Sequence, residues 1–382
     1  GNVMLRFFLK RMKGNATDRT MIGKLAGYLG LLSNALLFVA KFLIGLSAQS
    51  VSIMADAINS LSDTASSFLT LIGFRIAAKP ADREHPYGHE RFEYISGFVV
   101  SLLITFVGFQ FLKNAFEKII APEPILLSPW LFIVLILSIG LKLWQGLMYR
   151  QLAKKIDSAT LQASGQDSFN DVLTTVAVLL SALIEWGTGW RVDGYIGLLI
   201  ALYILFSGIM MIRTFINELL GARPTEAEIR EMEDRLDRYP TILGYHDLLV
   251  HNYGPKNRFA SVHIEVNESW SLSQAHEVID AIEHDFQRNL QVELVCHLDP
   301  VPIQNKQYRQ LREKVRQIVE TIDPELRMHD FRIHEKQFAF DLVIPKQRNY
   351  TDRELQDKIY QKITHEIGTY EVAITFDHTY LL

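Results

Sequence analysis

Met54-Ala55-Asp56-Ala57-Ile58-Asn59-Ser60-Leu61-Ser62-Asp63 sits inside an otherwise apolar segment that runs from Val51 to Ala78. Read as a helix, it places Asn59 and Asp63 at i and i+4, one turn apart on one face, with Asp56 three residues earlier on that same face. A carboxylate held in hydrocarbon costs several kcal/mol unless it is paired, hydrated or metal-bound, so an acidic residue in such a segment marks a functional site. Further along the chain the device recurs. Leu161-Gln162-Ala163-Ser164-Gly165-Gln166-Asp167-Ser168-Phe169-Asn170-Asp171 opens another apolar segment, with Asp167 and Asp171 again at i and i+4. Helix caps or interfacial polar residues would explain one such pair. Two matched pairs point instead to oxygen ligands from two helices converging on one cation.

Of the 382 residues 48% are hydrophobic, and they are not spread evenly: Leu25 to Ile216 is dominated by long apolar runs, whereas Arg223 to Leu382 reads as a charged, soluble protein. Six stretches approach the ~20 residues that cross a bilayer as a helix: Lys24–Leu46, Val51–Ala77, Phe92–Ile119, Pro129–Arg150, Gln162–Trp186 and Asp193–Ile216. Arg6, Lys10, Arg11, Lys13 and Arg19 precede the first. Arg75, Lys79, Arg83 and Arg91 lie between the second and third, Arg150, Lys154 and Lys155 between the fourth and fifth, and Arg213 and Arg223 near the end of the sixth and beyond it. The opposite connections carry only Arg191. The positive-inside rule then predicts a multi-pass protein of the plasma or inner membrane with both termini cytoplasmic, and Trp130, Trp186 and Trp190 fall where an outer aromatic belt is expected.

A net charge of −4 says little about partners, and no basic tract with interleaved aromatics suggests a nucleic acid. The single cysteine, Cys296, excludes an internal disulfide and fits a reducing interior. The basic start Leu5-Arg6-Phe7-Phe8-Leu9-Lys10-Arg11-Met12-Lys13 leads into no small-residue cleavage site, so no signal peptide is expected. There is no nucleophile–base pair and no phosphate-cradling loop, so no enzyme and no cofactor are expected.

Two further sets of residues have metal-ligand chemistry. Between the second and third spans, Asp82, His85 and His89 lie in one short connection; an early helix start would place the two histidines on one face, while Pro86 and Gly88 favour a turn. A solvated polar loop is the plain alternative. In the C-terminal part, helix and strand signals give an αββαβ unit (helix Thr225–Tyr239, strands Ile242–Tyr253 and Asn257–Asn267, helix Ser271–Asn289, strand Gln291–Asp299), and the unit then repeats. The second copy has helix Lys306–Thr321, strands Arg327–Glu335 and Gln337–Pro345, helix Thr351–Ile367 and strand Tyr370–His378. His246-Asp247-Leu248-Leu249-Val250-His251 matches His329-Asp330-Phe331-Arg332-Ile333-His334, and Arg258-Phe259-Ala260 matches Gln337-Phe338-Ala339. The first copy concentrates His246, His263, His276, His297 and Asp299, a set suited to Zn²⁺ and other borderline metals. That alignment places Leu342 opposite His263 and Asp377 opposite His297, so the second copy is expected to bind little metal. Cys296, next to His297 on a strand, is expected on the other face, in a structural role. The chain thus divides into 1–221, a six-helix transmembrane domain; 222–303, an α+β metal-binding domain; and 304–382, a second, degenerate αββαβ domain.

These residues resemble the cation diffusion facilitators. The resemblance rests on the spans, on Ala55-Asp56-Ala57 with Leu61-Ser62-Asp63, on the paired positions of the fifth span, on the Asp82/His85/His89 loop, and on an αββαβ domain carrying His246-Asp247, His263, Gln274-Ala275-His276 and His297-x-Asp299. It covers roughly Gly27 to Pro300. It implies a homodimer in membrane lipid that exchanges a divalent metal for protons. It places Asn59, Asp63, Asp167 and Asp171 on the transport site, Asp82, His85 and His89 on a secondary loop site, and the first cytoplasmic domain, with a ferredoxin-like fold, in metal-bridged dimerisation. Zinc-carrying members usually have His or Asp where this chain has Asn59, and His where it has Asp167. The second αββαβ unit is an addition the family pattern does not explain.

Three carboxylates and an amide, with no nitrogen or sulfur ligand, suit Mn²⁺, Mg²⁺ or Ca²⁺ better than Zn²⁺. The resemblance associates an Asn/Asp/Asp/Asp site with Mn²⁺; Fe²⁺ also accepts oxygen ligands. Clustered carboxylates repel one another, so an empty site takes up protons and a filled one sheds them, which supplies antiport. The alternatives are a Zn²⁺, Fe²⁺ or Co²⁺ exporter of the same family, a divalent-cation channel, and a membrane-tethered sensor.

Overall fold

A computed structural model describes residues 19–48, 51–124, 127–254 and 256–378, with the side chains of 45–48, 51–59, 62, 65, 66, 193, 196 and 200 outside the description. The chain separates into two compact units, Gly1–Ala222 with Tyr253–Asn257, and Arg223–Asn252 with Arg258–Leu382.

The first unit consists of long helices: α1 (Arg19–Ala48), α2 (Val51–Ala77), α3 (Phe92–Ile120), α4 (Pro129–Ile156), α5 (Ala159–Thr188) and α6 (Asp193–Leu220). Their ends are written in the sequence. Ser128 caps α4 through the amide of Leu131, with Pro129 at the first position where its missing N–H costs nothing, and Ser158 caps α5 through Leu161. Gly189 and Gly221 end α5 and α6 in the left-handed region, at φ 72° and 97°. Among the described residues, five helical segments are long and apolar enough to cross a membrane: Arg19–Ile44, Phe92–Ile120, Pro129–Ile156, Ala159–Thr188 and Gly197–Leu220. In α2 the described apolar stretch is the shorter Ser67–Ala77.

The unit is apolar outside and polar within. Leu32, Leu137, Phe206 and Leu220 are exposed, while Ser33, Asn34, Lys41, Ser67, Thr70, Lys142, Gln145 and Ser168 are buried. That inversion suits a lipid solvent, which offers apolar side chains no penalty and polar ones no partner. Close approach is needed where α1 meets α4: a Cβ on Gly30 would collide with the Tyr149 hydroxyl. At one end, Arg19 pairs with buried Glu93, whose side chain also accepts a 2.6 Å hydrogen bond from Ser158. This ties α1, α3 and α5 together.

The second unit contains the two αββαβ repeats. The first runs α7 (Glu226–Asp237), β1 (Gly244–Asn252), β2 (Arg258–Asn267), α8 (Leu272–Asp285, continued by a π turn Phe286–Leu290) and β3 (Val292–Val301). The second runs α9 (Lys306–Ile322), β4 (Arg327–His334), β5 (Gln337–Val343), α10 (Asp352–Glu366) and β6 (Glu371–Asp377). Capping boxes open α7, α8 and α10 through Thr225/Glu228, Ser271/Gln274 and Thr351/Glu354. Each sheet has the order β1-β2-β3 or β4-β5-β6, with the first pair antiparallel and the second parallel.

Period-2 alternation sends Ala260, Val262, Ile264 and Val266 into the first core and leaves His263 and Glu265 on the opposite face. Cys296 packs against that core, as expected from its neighbour His297 facing the other way. In the second repeat Phe338, Phe340 and Leu342 fill the core, so Asp341 faces outward.

That overturns the alignment drawn from sequence. His246 pairs with His263, and His263 with His297; His329 pairs with Asp341, and Asp341 with Thr375. The counterpart of His263 is therefore Asp341 and not Leu342, and the counterpart of Asp299 is Asp377. The cause is the hairpin: Tyr253–Asn257 joins β1 to β2, whereas only Glu335–Lys336 joins β4 to β5, and a one-residue slip exchanges the faces of a strand.

Candidate functional site

Among the described residues, four groups of potential ligands converge with their ligand atoms within 4.8 Å of one another: Asp63/Asp167/Asp171, Asp82/His85/His89, His246/Asp247/His263 and His263/His297/Asp299.

The first lies among the long helices. Asp63 comes from α2 and Asp167 and Asp171 from α5, each placed by the one-turn spacing that the sequence predicts. Asp63 is 5% exposed and Asp171 8%. The side chain of Asn59, expected as the fourth ligand, and that of Asp56 lie outside the described residues.

A residue not singled out from sequence, Lys142 of α4, completes the group. Its side chain is 2% exposed, and its ammonium stands 2.8 Å from Asp171 Oδ2 and 3.0 Å from Asp63 Oδ2. It also donates to Asn34 Oδ1 at 2.9 Å. Asn34 in turn donates to Ser67 Oγ at 2.8 Å and to the Asp63 carbonyl at 3.2 Å, while Gln145 donates to Ser33 Oγ and Asn34 Oδ1. Four helices therefore hold the carboxylates in place. The signal was available: a lysine within an apolar span is as costly as an aspartate there and calls for a carboxylate partner.

The second group is a turn, as Pro86 and Gly88 favoured, with Gly88 at φ 88° and α3 starting only at Phe92. Asp82 Oδ1 accepts from the amides of Glu84 and His85 at 3.0 and 2.7 Å. His89 Nε2 stands 3.2 Å from both Asp82 Oδ2 and His85 Nδ1. The amide of His85 foremost, with the charges of both histidines, holds the Asp82 carboxyl below its ordinary range. The donor set is one that binds a transition metal.

The remaining two groups share His263 on the outer face of the first sheet. His246 Nε2 and His263 Nδ1 lie 2.9 and 3.0 Å from Asp299 Oδ2, and His297 Nε2 lies 3.5 Å from Asp299 Oδ1. His246 is 1% exposed, and its Nε2, for all its closeness to Asp299, has no partner with hydrogen-bond geometry. A buried imidazole nitrogen of that kind, beside two more imidazoles and a carboxylate, fits a bound metal. Burial alone would lower the His246 pKa, but the hydrogen bond to Asp247 and the nearby carboxylate of Asp299 outweigh it and push the group up to about 10. Asp247 and Asp299 are held correspondingly low, Asp247 chiefly by His246 and Asp299 by His246 and His263 against the opposing effect of its burial. His276, expected in this set, is exposed on α8 and joins none of the converged groups of the described residues; it sits on a helix face, away from the strands that carry the others.

Residues 28–220 match the cation efflux transmembrane domain, and residues 224–301 match the cytoplasmic domain of cation efflux proteins. The second αββαβ repeat lies beyond both matches. The chain is 31% identical over 274 residues to an uncharacterized transporter of Methanocaldococcus jannaschii, spanning 72% of this chain and 96% of that protein. It is 30% identical over 296 residues to the cation-efflux pump FieF of Salmonella paratyphi A, covering 76% and 96% of the two chains. Against the FieF of Salmonella newport the figures are 31% over 261 residues, with 66% and 85% covered.

Proposed function

The chain belongs to the cation efflux family, whose members are multi-pass membrane transporters of metal ions and not enzymes, and on that premise we propose that it exports Mn²⁺, with Fe²⁺ as a second cargo, from the cytoplasm in exchange for protons. The observation that carries the choice of metal is the all-oxygen convergence of Asp63, Asp167 and Asp171. Oxygen ligands suit Mn²⁺, whereas the imidazoles of this protein are gathered elsewhere. Lys142 supports the same reading. Three ionised carboxylates and one ammonium leave the group two charges short of neutral, which a single dication balances.

In this reading six helices span the membrane, both termini are cytoplasmic, and residues 1–221 form the transport domain. Asn59 supplies the fourth oxygen. Metal arriving from the cytoplasm displaces protons from the carboxylates, and protons arriving from the other side displace the metal. The carboxylates titrate as a set, so no single one owns the proton. Residues 222–303 bind metal through His246, His263, His297 and Asp299 and support a homodimer, Asp82, His85 and His89 form a loop site, and residues 304–382 are a separate domain.

The test is metal-resolved flux in proteoliposomes carrying a pH gradient. Mn²⁺ movement that collapses the gradient is expected. Preferential Zn²⁺ movement would transfer the assignment to a zinc exporter, and Mn²⁺ flux with no proton counterflow would make the protein a channel.

A further inference from the structure

In the first repeat α7 and α8 pack on one face of the sheet through Met232, Leu236, Ile279 and Ile282, and His263, Glu265 and His297 belong to the other face. A sheet with helices on one side turns its other face to solvent. Yet Glu265 is only 5% exposed, and His246, which converges with His263, only 1%. The second repeat covers them. The rings of His246 and His329 stack with centroids 5.0 Å apart and an interplanar angle of 10°. Arg312 of α9 pairs with Glu265 of β2 at 3.4 Å. Val301, the last residue of β3, is buried in the core of the second repeat with Val315, Phe338 and Ile363.

The repeats also meet equivalent to equivalent. Each of the two stacked histidines stands at a bulge in the first strand of its repeat, followed by an aspartate in the left-handed region, Asp247 at φ 54° and Asp330 at 52°. Contact of a residue with its own counterpart is the mark of a local twofold, in which two copies of one unit cover each other's matching faces. We propose that the second repeat takes, within one chain, the place of a second copy of the first, so that the cytoplasmic part of each chain is already a paired unit and its metal-ligand face is closed to other chains.

The homodimer proposed above is then held by surfaces other than this face. On the metal reading of that face given above, an ion on His246, His263, His297 and Asp299 acts on the pairing of two repeats and not on the pairing of two subunits. It has a way in. A cleft of about 690 Å³ stays open between the repeats, lined by His263, His297 and Asp299 on one side and by Arg332 and His334 on the other. His297 is exposed to solvent there. The pairing itself does not depend on which ion the membrane domain carries.

The experiment uses the full-length protein in detergent, with Cys296→Ser removing its single cysteine. Glu265→Cys and Arg312→Cys then place two thiols where the repeats touch, and dibromobimane, which fluoresces once it bridges two thiols, reports that they are adjacent. With both substitutions on one chain, a fluorescent product of single-chain mass is expected on a denaturing gel. With one substitution on each of two differently tagged chains expressed together, no bridged pair of chains is expected. Bridging between the tagged chains overturns the proposal, and so does the absence of bridging in the double variant. Should that variant not fold, Pro300→Cys with Arg332→Cys, which line the same cleft, and a longer bismaleimide give the same two readings. Zn²⁺ added to the parent protein should leave the particle mass by light scattering unchanged. A Zn²⁺-driven doubling of mass that disappears with His263→Ala and His297→Ala would show the face open to a second chain and overturn its closure. Failure of Zn²⁺ to bind would count against the metal reading alone, since the bridging decides the pairing without it.

Discussion

The ammonium of Lys142 stands 2.8 Å from Oδ2 of Asp171, on the neighbouring helix, with only 2% of the lysine side chain exposed. In the proposed transport reading, a fixed cation therefore sits among carboxylates that a mobile cation must also reach. There it would offset one of three negative charges and compete directly with the cargo.

Replacing Lys142 with Met is expected to tighten Mn²⁺ binding by at least about tenfold, or 1.4 kcal/mol, because a dication then meets three carboxylates with no internal counter-charge. Turnover in proteoliposomes should fall, since release becomes the slow step. Equilibrium binding and initial flux, measured on the same preparation, check the pair; weaker binding together with faster transport would refute the competition.

Asp63→Ala or Asp171→Ala should abolish transport and leave a folded protein, because Lys142 keeps one carboxylate partner in either variant. Removing both strips it of both its ion-pair partners in a buried setting and leaves Asp167 as the remaining acid of the group; losing a buried partner is a change of the kind that costs about 3–5 kcal/mol. The double variant should therefore melt well below either single one. Equal melting temperatures for all three would mean that the lysine does not depend on these partners.

Changing Asn59 and Asp167 together to His should shift preference from Mn²⁺ towards Zn²⁺, as two hard ligands become imidazoles. Competition between the two ions in a flux assay gives the ratio, and an unchanged ratio would place selectivity elsewhere in the chain.

In the cytoplasmic domain, His263→Ala with His297→Ala removes two of the three imidazoles grouped around Asp299. Zn²⁺ should then no longer raise the melting temperature of the full-length protein, while that of the metal-free protein should change little. A Zn²⁺ effect as large as that of the parent would show that those imidazoles are not its ligands.

Much of this was legible in the sequence, and the reasons are local. Asp63, Asp167 and Asp171 stand out because a carboxylate in an apolar run is rare and costly and because one-turn spacing fixes its direction. Asp82, His85 and His89 were visible as a ligand set, and the turn that joins them followed from Pro86 and Gly88. Lys142 escaped notice in the long run from Leu131 to Met148, although the same cost argument applies to it. The β5 register failed for a different reason. Matching Phe259 to Phe338 aligns similar residues, but hydrogen-bond pairing across a shorter hairpin aligns Phe259 with Gln337, which pairs with His334 as Phe259 pairs with His251. His276 shares its chemistry with the other histidines but not their strands, and spacing along a chain does not reveal which elements meet.

The short connection Pro302–Asn305, between β3 and α9, has a consequence of its own. At the twofold axis of two identical subunits, any substitution is made twice, and both halves change together. Two domains joined in tandem escape that coupling: a histidine can become an aspartate on one side while its counterpart stays as it was. Tethering also keeps the halves at high effective concentration, so their pairing survives dilution. Asymmetry can then accumulate one mutation at a time, as it has where His263 of one repeat stands at the position of Asp341 in the other.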